Sequence, residues 1–183
     1  MRPHDLLRLD APLRPAGVPG WVAAALAETP WVVVRRATAA AGTIPVGVRG
    51  PTRADRFAVE LDPATVAEVV RPEDLAERPG LPALDRARDV LAPTGWAWGP
   101  TGGVGFQLAT GRPTVTAASD LDLVIRVPAL PPRGRLGEVH AALPHDADCL
   151  IETPDGAVAL RELVSGATRV LLRTPTGPRL VPA

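Results

Sequence analysis

Two aspartates separated by a single leucine open an apolar stretch, in Ser119-Asp-Leu-Asp-Leu-Val-Ile125. Side chains two residues apart on a strand project from the same face, so the carboxylates of Asp120 and Asp122 are expected together while Leu121 and Leu123 face a core. Two adjacent carboxylates repel each other, and a divalent cation is the simplest way to keep both ionised. Mg²⁺ prefers oxygen ligands and usually binds one or two carboxylates plus phosphate oxygens. The pair therefore predicts a magnesium site for phosphoryl-type transfer.

A third carboxylate, Asp148, opens the apolar run Cys149-Leu-Ile151. If that run is a strand beside the first one, Asp148 lies next to the aspartate pair. It could then be a third metal ligand, as two-metal sites require, or the base that accepts the nucleophile's proton. Glu152, four residues further along, ranks below it. The alternative is that Asp148 only begins a strand after a turn, and that Asp120 and Asp122 belong to a solvent-facing edge strand.

Phosphate binding requires further groups, and two sets are available. Gly102 and Gly103 are predicted at a turn from strand to helix, where exposed backbone N–H groups can hold phosphates. The chain contains no lysine, so any side-chain clamp must use arginine. Arg49, Arg53 and Arg56 form a local basic cluster that could bind a triphosphate or an acidic protein surface. The glycines could equally form a plain turn, and any single arginine of the cluster could simply be solvated.

The elements that must position these residues alternate between short strands and helices. Strands are expected at 31–34, 44–48, 57–61, 96–98, 121–127, 148–152 and 170–173, and helices at 21–27, 83–91, 104–110 and 135–143. His4–Leu9 is predicted as an amphipathic turn and Pro63–Val70 as a helical turn. The boundary is predicted at Gly80–Pro82, between a module at 1–80 and a catalytic domain at 81–183. The pattern predicts an α+β protein.

Composition limits the function classes. Twenty acidic and twenty basic residues cancel, so the chain has no general electrostatic reason to bind nucleic acid or an anionic membrane. No uncharged apolar run reaches the roughly 18 residues of a membrane span, and the N-terminus does not resemble a signal peptide, so a cytoplasmic protein is expected. Cys149 is the single cysteine, which excludes an intrachain disulfide.

The glycine pair followed by Asp120-Leu-Asp122 resembles the signature of the DNA polymerase beta-type nucleotidyltransferase superfamily, in which a later strand carries a third aspartate. A wider set of segments resembles the malonate decarboxylase holo-acyl-carrier-protein synthases, also called phosphoribosyl-dephospho-CoA transferases. These segments are Arg2-Pro-His-Asp-Leu-Leu7, Val33-Val-Arg-Arg-Ala37, Ile44-Pro-Val-Gly-Val-Arg-Gly50, Trp98-Gly-Pro-Thr-Gly-Gly-Val-Gly-Phe106, Leu108-Ala-Thr-Gly111, Glu152-Thr-Pro154 and Gly156-Ala-Val-Ala-Leu160.

The resemblance implies a nucleotidyltransferase-like mixed sheet core with a small N-terminal α/β module. It also implies a reaction in which a phosphoribosyl-dephospho-CoA group passes from 2′-(5″-triphosphoribosyl)-3′-dephospho-CoA to a serine of the apo acyl carrier protein subunit, with release of pyrophosphate. Asp120, Asp122 and Asp148 would be the catalytic and Mg²⁺-binding residues. The family is expected to have Gly-Ser where this chain has Gly102-Gly103, so one hydroxyl contact to phosphate would be missing.

Two other functions remain open at this point. The chain could be a nucleotidyltransferase that uses ATP or another nucleotide on a protein or a small molecule. It could also be a non-catalytic module that binds a carrier protein through a degenerate site. The first alternative differs from the family's reaction in the triphosphate donor that is used. The second differs in that no group is transferred to the carrier at all.

Overall fold

The computed structural model describes residues 1–10, 18–52, 54–79, 81–116 and 119–183. The chain divides into two compact units, Met1–Arg71 and Pro72–Ala183. This division lies upstream of the boundary predicted at Gly80, a residue outside the described ranges.

The N-terminal unit is an antiparallel sheet with one helix. Its elements are β1 (Leu6–Leu9), α1 (Gly20–Glu28), β2 (Trp31–Val34), β3 (Ile44–Arg49), β4 (Arg56–Leu61) and β5 (Val66–Val70). The strand order is β4-β3-β2-β1-β5, and every neighbouring pair is antiparallel. The module was predicted as α/β, but the sheet contains no parallel pair among its described strands.

The core of this unit follows from alternating apolar residues. Ile44, Val46 and Val48 of β3 are buried on one face, and they pack in one cluster with Val22 and Leu26 of α1. The predicted strands at 31–34, 44–48 and 57–61 are therefore confirmed, because each has the two-residue period or β-branched composition that a half-buried sheet requires.

Two predicted elements of the N-terminal unit were only partly right. The expected turn at His4–Leu9 is largely strand β1, an interior strand between β2 and β5. Pro63–Val70 contains a short 3₁₀ turn over Pro63–Thr65 and then strand β5. In both cases pairing with distant strands overrides the local preference, which is the usual limit of propensity arguments.

The C-terminal unit combines a six-stranded mixed sheet with five helices within the described ranges. Its strands are β6 (Ala97–Pro100), β7 (Leu121–Arg126), β8 (Ala147–Thr153), β9 (Gly156–Ala159), β10 (Arg169–Thr174) and β11 (Gly177–Pro182). Its helices are α2 (Pro72–Leu75), α3 (Pro82–Leu91), α4 (Gly102–Thr110), α5 (Arg133–Ala142) and α6 (Leu160–Val164). The strand order is β11-β10-β9-β8-β7-β6. Strands β7 and β8 are parallel, and the other neighbours are antiparallel.

Strand β7 lies in the interior of this sheet and is buried on both faces. Leu121, Leu123 and Ile125 are each 1% exposed or less and belong to the main core cluster. On the opposite face Val124 and Arg126 are also buried. The edge-strand alternative for this segment is therefore excluded by its position between β6 and β8.

The α+β class is confirmed, with helices and an antiparallel or mixed sheet in each unit. Among the helices of the described residues, none is both long and apolar enough to cross a membrane.

Candidate active site

The strand-to-helix turn after β6 places its glycines against the aspartate strand. The backbone N–H of Thr101 donates to the carbonyl oxygen of Asp122 at 2.8 Å. Helix α4 then begins at Gly102, whose φ is +56°. A Cβ atom at this position would overlap the carboxylate of Asp122. Glycine is therefore required at position 102 for two reasons: its backbone is left-handed, and the Asp122 carboxylate occupies the space of a Cβ atom.

The parallel pairing of β7 and β8 brings two predicted site residues side by side. Asp122 and Asp148 are direct Cα partners in this register, and neighbouring strands lie about 4.8 Å apart. Because Leu121 and Leu123 point into the core, Asp122 projects from the opposite face, where it is half-buried. Asp120 lies one residue before the strand and is exposed.

Asp148 forms an ion pair that the sequence did not indicate. Its carboxylate lies 3.3 Å from the Nη1 atom of Arg161 in α6. Its charge also acts on the adjacent Cys149. Burial, in the first place, and the Asp148 charge, in the second, raise the pKa of the Cys149 thiol. This cysteine is therefore a buried, protonated core residue, which leaves no thiolate nucleophile at the site.

The carboxylates are the ligand type that Mg²⁺ prefers, but the described side chains do not form a preformed metal site. Asp122 and Asp148 supply hard oxygen donors on neighbouring strands beside the Gly102 turn, which is the donor type that Mg²⁺ prefers. Within the described ranges, however, no group of three or more His, Cys, Asp or Glu residues is placed to hold a metal ion. A three-carboxylate set of Asp120, Asp122 and Asp148 would therefore require side-chain rearrangement, including release of Asp148 from Arg161.

A buried ion network lies four residues further along the same strands. Arg126 of β7 pairs with Glu73 of α2 at 2.7 Å and approaches Glu152 of β8 at 3.7 Å. Arg126 and Glu152 are themselves Cα partners. Glu152 is therefore buried beside its arginine, whereas the ion pair between Asp148 and Arg161 is exposed to solvent. The sequence signal for this network is an arginine directly after the segment Leu121–Ile125.

Polar contacts also fix the segment that returns from α4 toward β7. The hydroxyl of Thr114 donates to the carbonyl of Gly103 at 2.8 Å. The side-chain carbonyl of Gln107 accepts from the backbone N–H groups of Thr114 and Val115, at 2.8 and 3.1 Å. Neither Gln107 nor Thr114 was singled out from the sequence, because a single polar side chain carries no pattern that marks its partner.

The predicted arginine cluster belongs to the N-terminal unit. Arg49 and Arg56 are Cα partners across β3 and β4, and Arg53 lies outside the described residues. The Nη1 atom of Arg56 donates to the carbonyls of Thr52 and Asp55, at 3.2 and 2.8 Å. The hydroxyl and backbone N–H of Thr52 donate in turn to the Asp55 carboxylate, and these hydrogen bonds lower its pKa. Arg56 is thus held by hydrogen bonds to Thr52 and Asp55, and the role of the cluster in phosphate binding stays a prediction.

Both units match domains of a known protein family. The phosphoribosyl-dephospho-CoA transferase MdcG N-terminal domain matches residues 2–72, and the C-terminal domain of the same family matches residues 66–183. No solved structure matches the chain.

Curated relatives match over nearly the full chain. A phosphoribosyl-dephospho-CoA transferase of Pseudomonas putida is 46% identical over 98% of this chain and 93% of the relative. Relatives of the same name from Azotobacter vinelandii and Pseudomonas aeruginosa are 45% and 42% identical, over 98% of this chain and 92% and 91% of their own lengths. The chain therefore belongs to the phosphoribosyl-dephospho-CoA transferase family.

Proposed function

We propose that this chain transfers the phosphoribosyl-dephospho-CoA group from 2′-(5″-triphosphoribosyl)-3′-dephospho-CoA to a serine of the apo acyl carrier protein subunit of malonate decarboxylase. Pyrophosphate is the second product. The two family matches together cover nearly the whole chain, and membership of this family supports the proposed reaction. The observation that supports the site is the alignment of Asp122 with Asp148 beside Gly102.

The sheet core of the C-terminal unit is proposed to be nucleotidyltransferase-like. The support is the sequence of elements: a strand, a glycine turn into a helix, a strand with Asp122, and a parallel neighbour with Asp148. In this arrangement the first backbone N–H groups of α4 would bind the phosphates, since the N-terminal end of a helix favours negative charge. The CoA-derived donor and the carrier would be encountered in the cytoplasm.

The proposed chemistry is an in-line displacement at the α-phosphorus of the donor. The carrier serine oxygen forms the new P–O bond, and the bond from that phosphorus to the pyrophosphate oxygen breaks. The serine proton passes to Asp148, which lies at the exposed end of β8. Asp120 and Asp122 would hold Mg²⁺, whose charge, when bound, neutralises phosphate oxygens. The protein's own contribution is positioning, which dominates catalysis of this reaction type.

The test is mass spectrometry of the apo carrier after incubation with donor, Mg²⁺ and enzyme. The wild-type protein should add the mass of one phosphoribosyl-dephospho-CoA group. The variants Asp120→Asn and Asp122→Asn should lower the rate by at least about a thousand-fold, since the metal supplies several kcal/mol of charge stabilisation. Asp155→Asn is the matched control, because Asp155 is an exposed aspartate in the turn after β8.

Three results would count against the proposal. Near wild-type transfer by the Asp120→Asn, Asp122→Asn double variant would remove these carboxylates from the mechanism. Labelling of the carrier from ATP, with none from the CoA-derived triphosphate, would replace the donor by a nucleotide. Carrier affinity in calorimetry without any transfer would indicate a non-catalytic binding module.

A further inference from the structure

Arg161 of the C-terminal unit has no role in the proposed mechanism. Its guanidinium lies 3.3 Å from the carboxylate of Asp148, the residue aligned with Asp122. The Arg161 side chain is 64% exposed and that of Asp148 is 48% exposed. An ion pair at such exposure is weak, because water competes for both partners. The guanidinium can therefore leave Asp148 at small cost.

The helix that carries Arg161 is anchored independently of this side chain. Leu160 and Leu163 of α6 are buried in the main core cluster. Glu162 accepts the backbone N–H of Leu171 at 2.8 Å and pairs with Arg173 at 3.6 Å. The backbone at Arg161 is thus fixed on both sides, while its exposed side chain reaches toward the carboxylates. A side chain with this placement contributes little to folding and is free to contact a ligand.

A triphosphate donor supplies a stronger partner than Asp148. Arginine presents a planar fork of N–H donors that matches phosphate oxygens in pairs. A chain without lysine must use this group wherever a side-chain cation is needed. The pair with Asp148 is half exposed and offers the guanidinium one carboxylate, whereas a triphosphate offers several charged oxygens, so the phosphates become the favoured partner.

We propose that Arg161 binds the triphosphate of the donor, and that its pairing with Asp148 is the resting position it leaves when the donor enters. This inference rests on the proposed function, which it extends by naming a phosphate-binding side chain in the same unit as the carboxylates. The sequence pattern predicts that task for Arg49, Arg53 and Arg56 of the other unit.

The first experiment is steady-state kinetics of carrier modification with Arg161→Gln and Arg161→Lys. The glutamine variant should raise the KM for the donor by about ten-fold, the effect of losing one charge-assisted contact. Its kcat and its KM for the carrier should change less than two-fold, roughly the level expected of a side chain outside the reaction centre. The lysine variant should be intermediate, because it keeps the charge and loses the fork. Arg169→Gln, at another exposed arginine of this unit, should match the wild type.

The second experiment is calorimetry with Mg²⁺ and inorganic tripolyphosphate, which needs no transfer activity. Arg161→Gln should weaken tripolyphosphate binding by about ten-fold relative to Arg169→Gln. Equal affinity in these two variants overturns the inference, and so does a fall in kcat with an unchanged KM for the donor, which would make Arg161 a positioning residue for Asp148. If the wild-type protein transfers nothing, the proposed function fails, while the tripolyphosphate comparison still decides the role of Arg161.

Discussion

Gly102 begins α4 and Gly111 follows its last residue; both have a positive φ angle, but their surroundings differ. Their φ angles are +56° and +72°. A Cβ on Gly102 would overlap the Asp122 carboxylate, whereas a Cβ on Gly111 would meet no atom within 4 Å. Substitutions at these two glycines therefore distinguish the free-energy cost of a left-handed backbone from the effect of displacing the Asp122 carboxylate.

Alanine at each position gives a direct test at the scale of single residues. Both Gly102→Ala and Gly111→Ala should lose about 1–2 kcal/mol of unfolding free energy from backbone strain. Only Gly102→Ala should also lose carrier modification, by about a hundred-fold or more, because small misplacements of a reacting group have effects of that size. Urea unfolding and the mass-spectrometric assay measure the two quantities. Equal activity in the two variants would show that the Asp122 position beside Gly102 is unimportant.

At the scale of elements, strands β7 and β8 carry two charged layers with different environments. The outer layer is Asp122 and Asp148, aligned with each other, with Asp148 exposed. The inner layer is Arg126 and Glu152, both buried, and Arg126 also pairs with Glu73 of α2. Helix α2 approaches β6 so closely that a Cβ on Gly99 would overlap the carbonyl of Pro72. The inner layer thus fixes α2 over the sheet, while Asp148 of the outer layer is exposed to solvent.

The buried network should be far more important for stability than the exposed pair. Arg126→Met should lower the unfolding free energy by about 3–5 kcal/mol, because it leaves buried carboxylates without their cation. Arg161→Gln breaks an exposed pair and should cost at most about 1 kcal/mol. Guanidinium chloride unfolding of both variants makes the comparison. A loss below 1 kcal/mol for Arg126→Met would mean that this network does not hold α2 to the sheet.

At the scale of the whole molecule, each unit has its own core. One cluster of buried residues comes entirely from the N-terminal unit, and the other entirely from the C-terminal unit. The predicted carboxylates, the glycine turn and Arg161 all belong to the second unit, whereas Arg49 and Arg56 belong to the first. The two proposed sources of phosphate-binding cations can therefore be separated by dividing the chain.

Fragments 1–71 and 72–183 should show which unit binds phosphate. Since 72–183 contains a complete core cluster and the site residues, it should unfold cooperatively and bind Mg²⁺-tripolyphosphate within about three-fold of the full chain. Fragment 1–71 is the control and should show no such binding. Circular dichroism checks folding, and calorimetry measures affinity. Tripolyphosphate binding by a folded 1–71, with none by a folded 72–183, would instead favour the cluster of Arg49, Arg53 and Arg56.

The sequence by itself determined the features that depend on local pattern. The apolar runs at 31–34 and 121–125 predicted strands, because β-branched and leucine-rich segments of that length suit a buried sheet. The Asp120-Leu-Asp122 spacing placed Asp122 opposite the core face, because side chains alternate along a strand. The resemblance carried by longer segments identified the family, which the full-length matches confirm.

Only the tertiary structure decided which distant residues meet. It placed Leu6–Leu9 between two other strands of a sheet and paired Gly177–Pro182 with β10 as strand β11. It aligned Asp122 with Asp148, buried Glu152 against Arg126, and paired Asp148 with Arg161. Sequence pattern cannot supply these partners, because strand register and ion pairing are set by packing between segments that lie far apart along the chain.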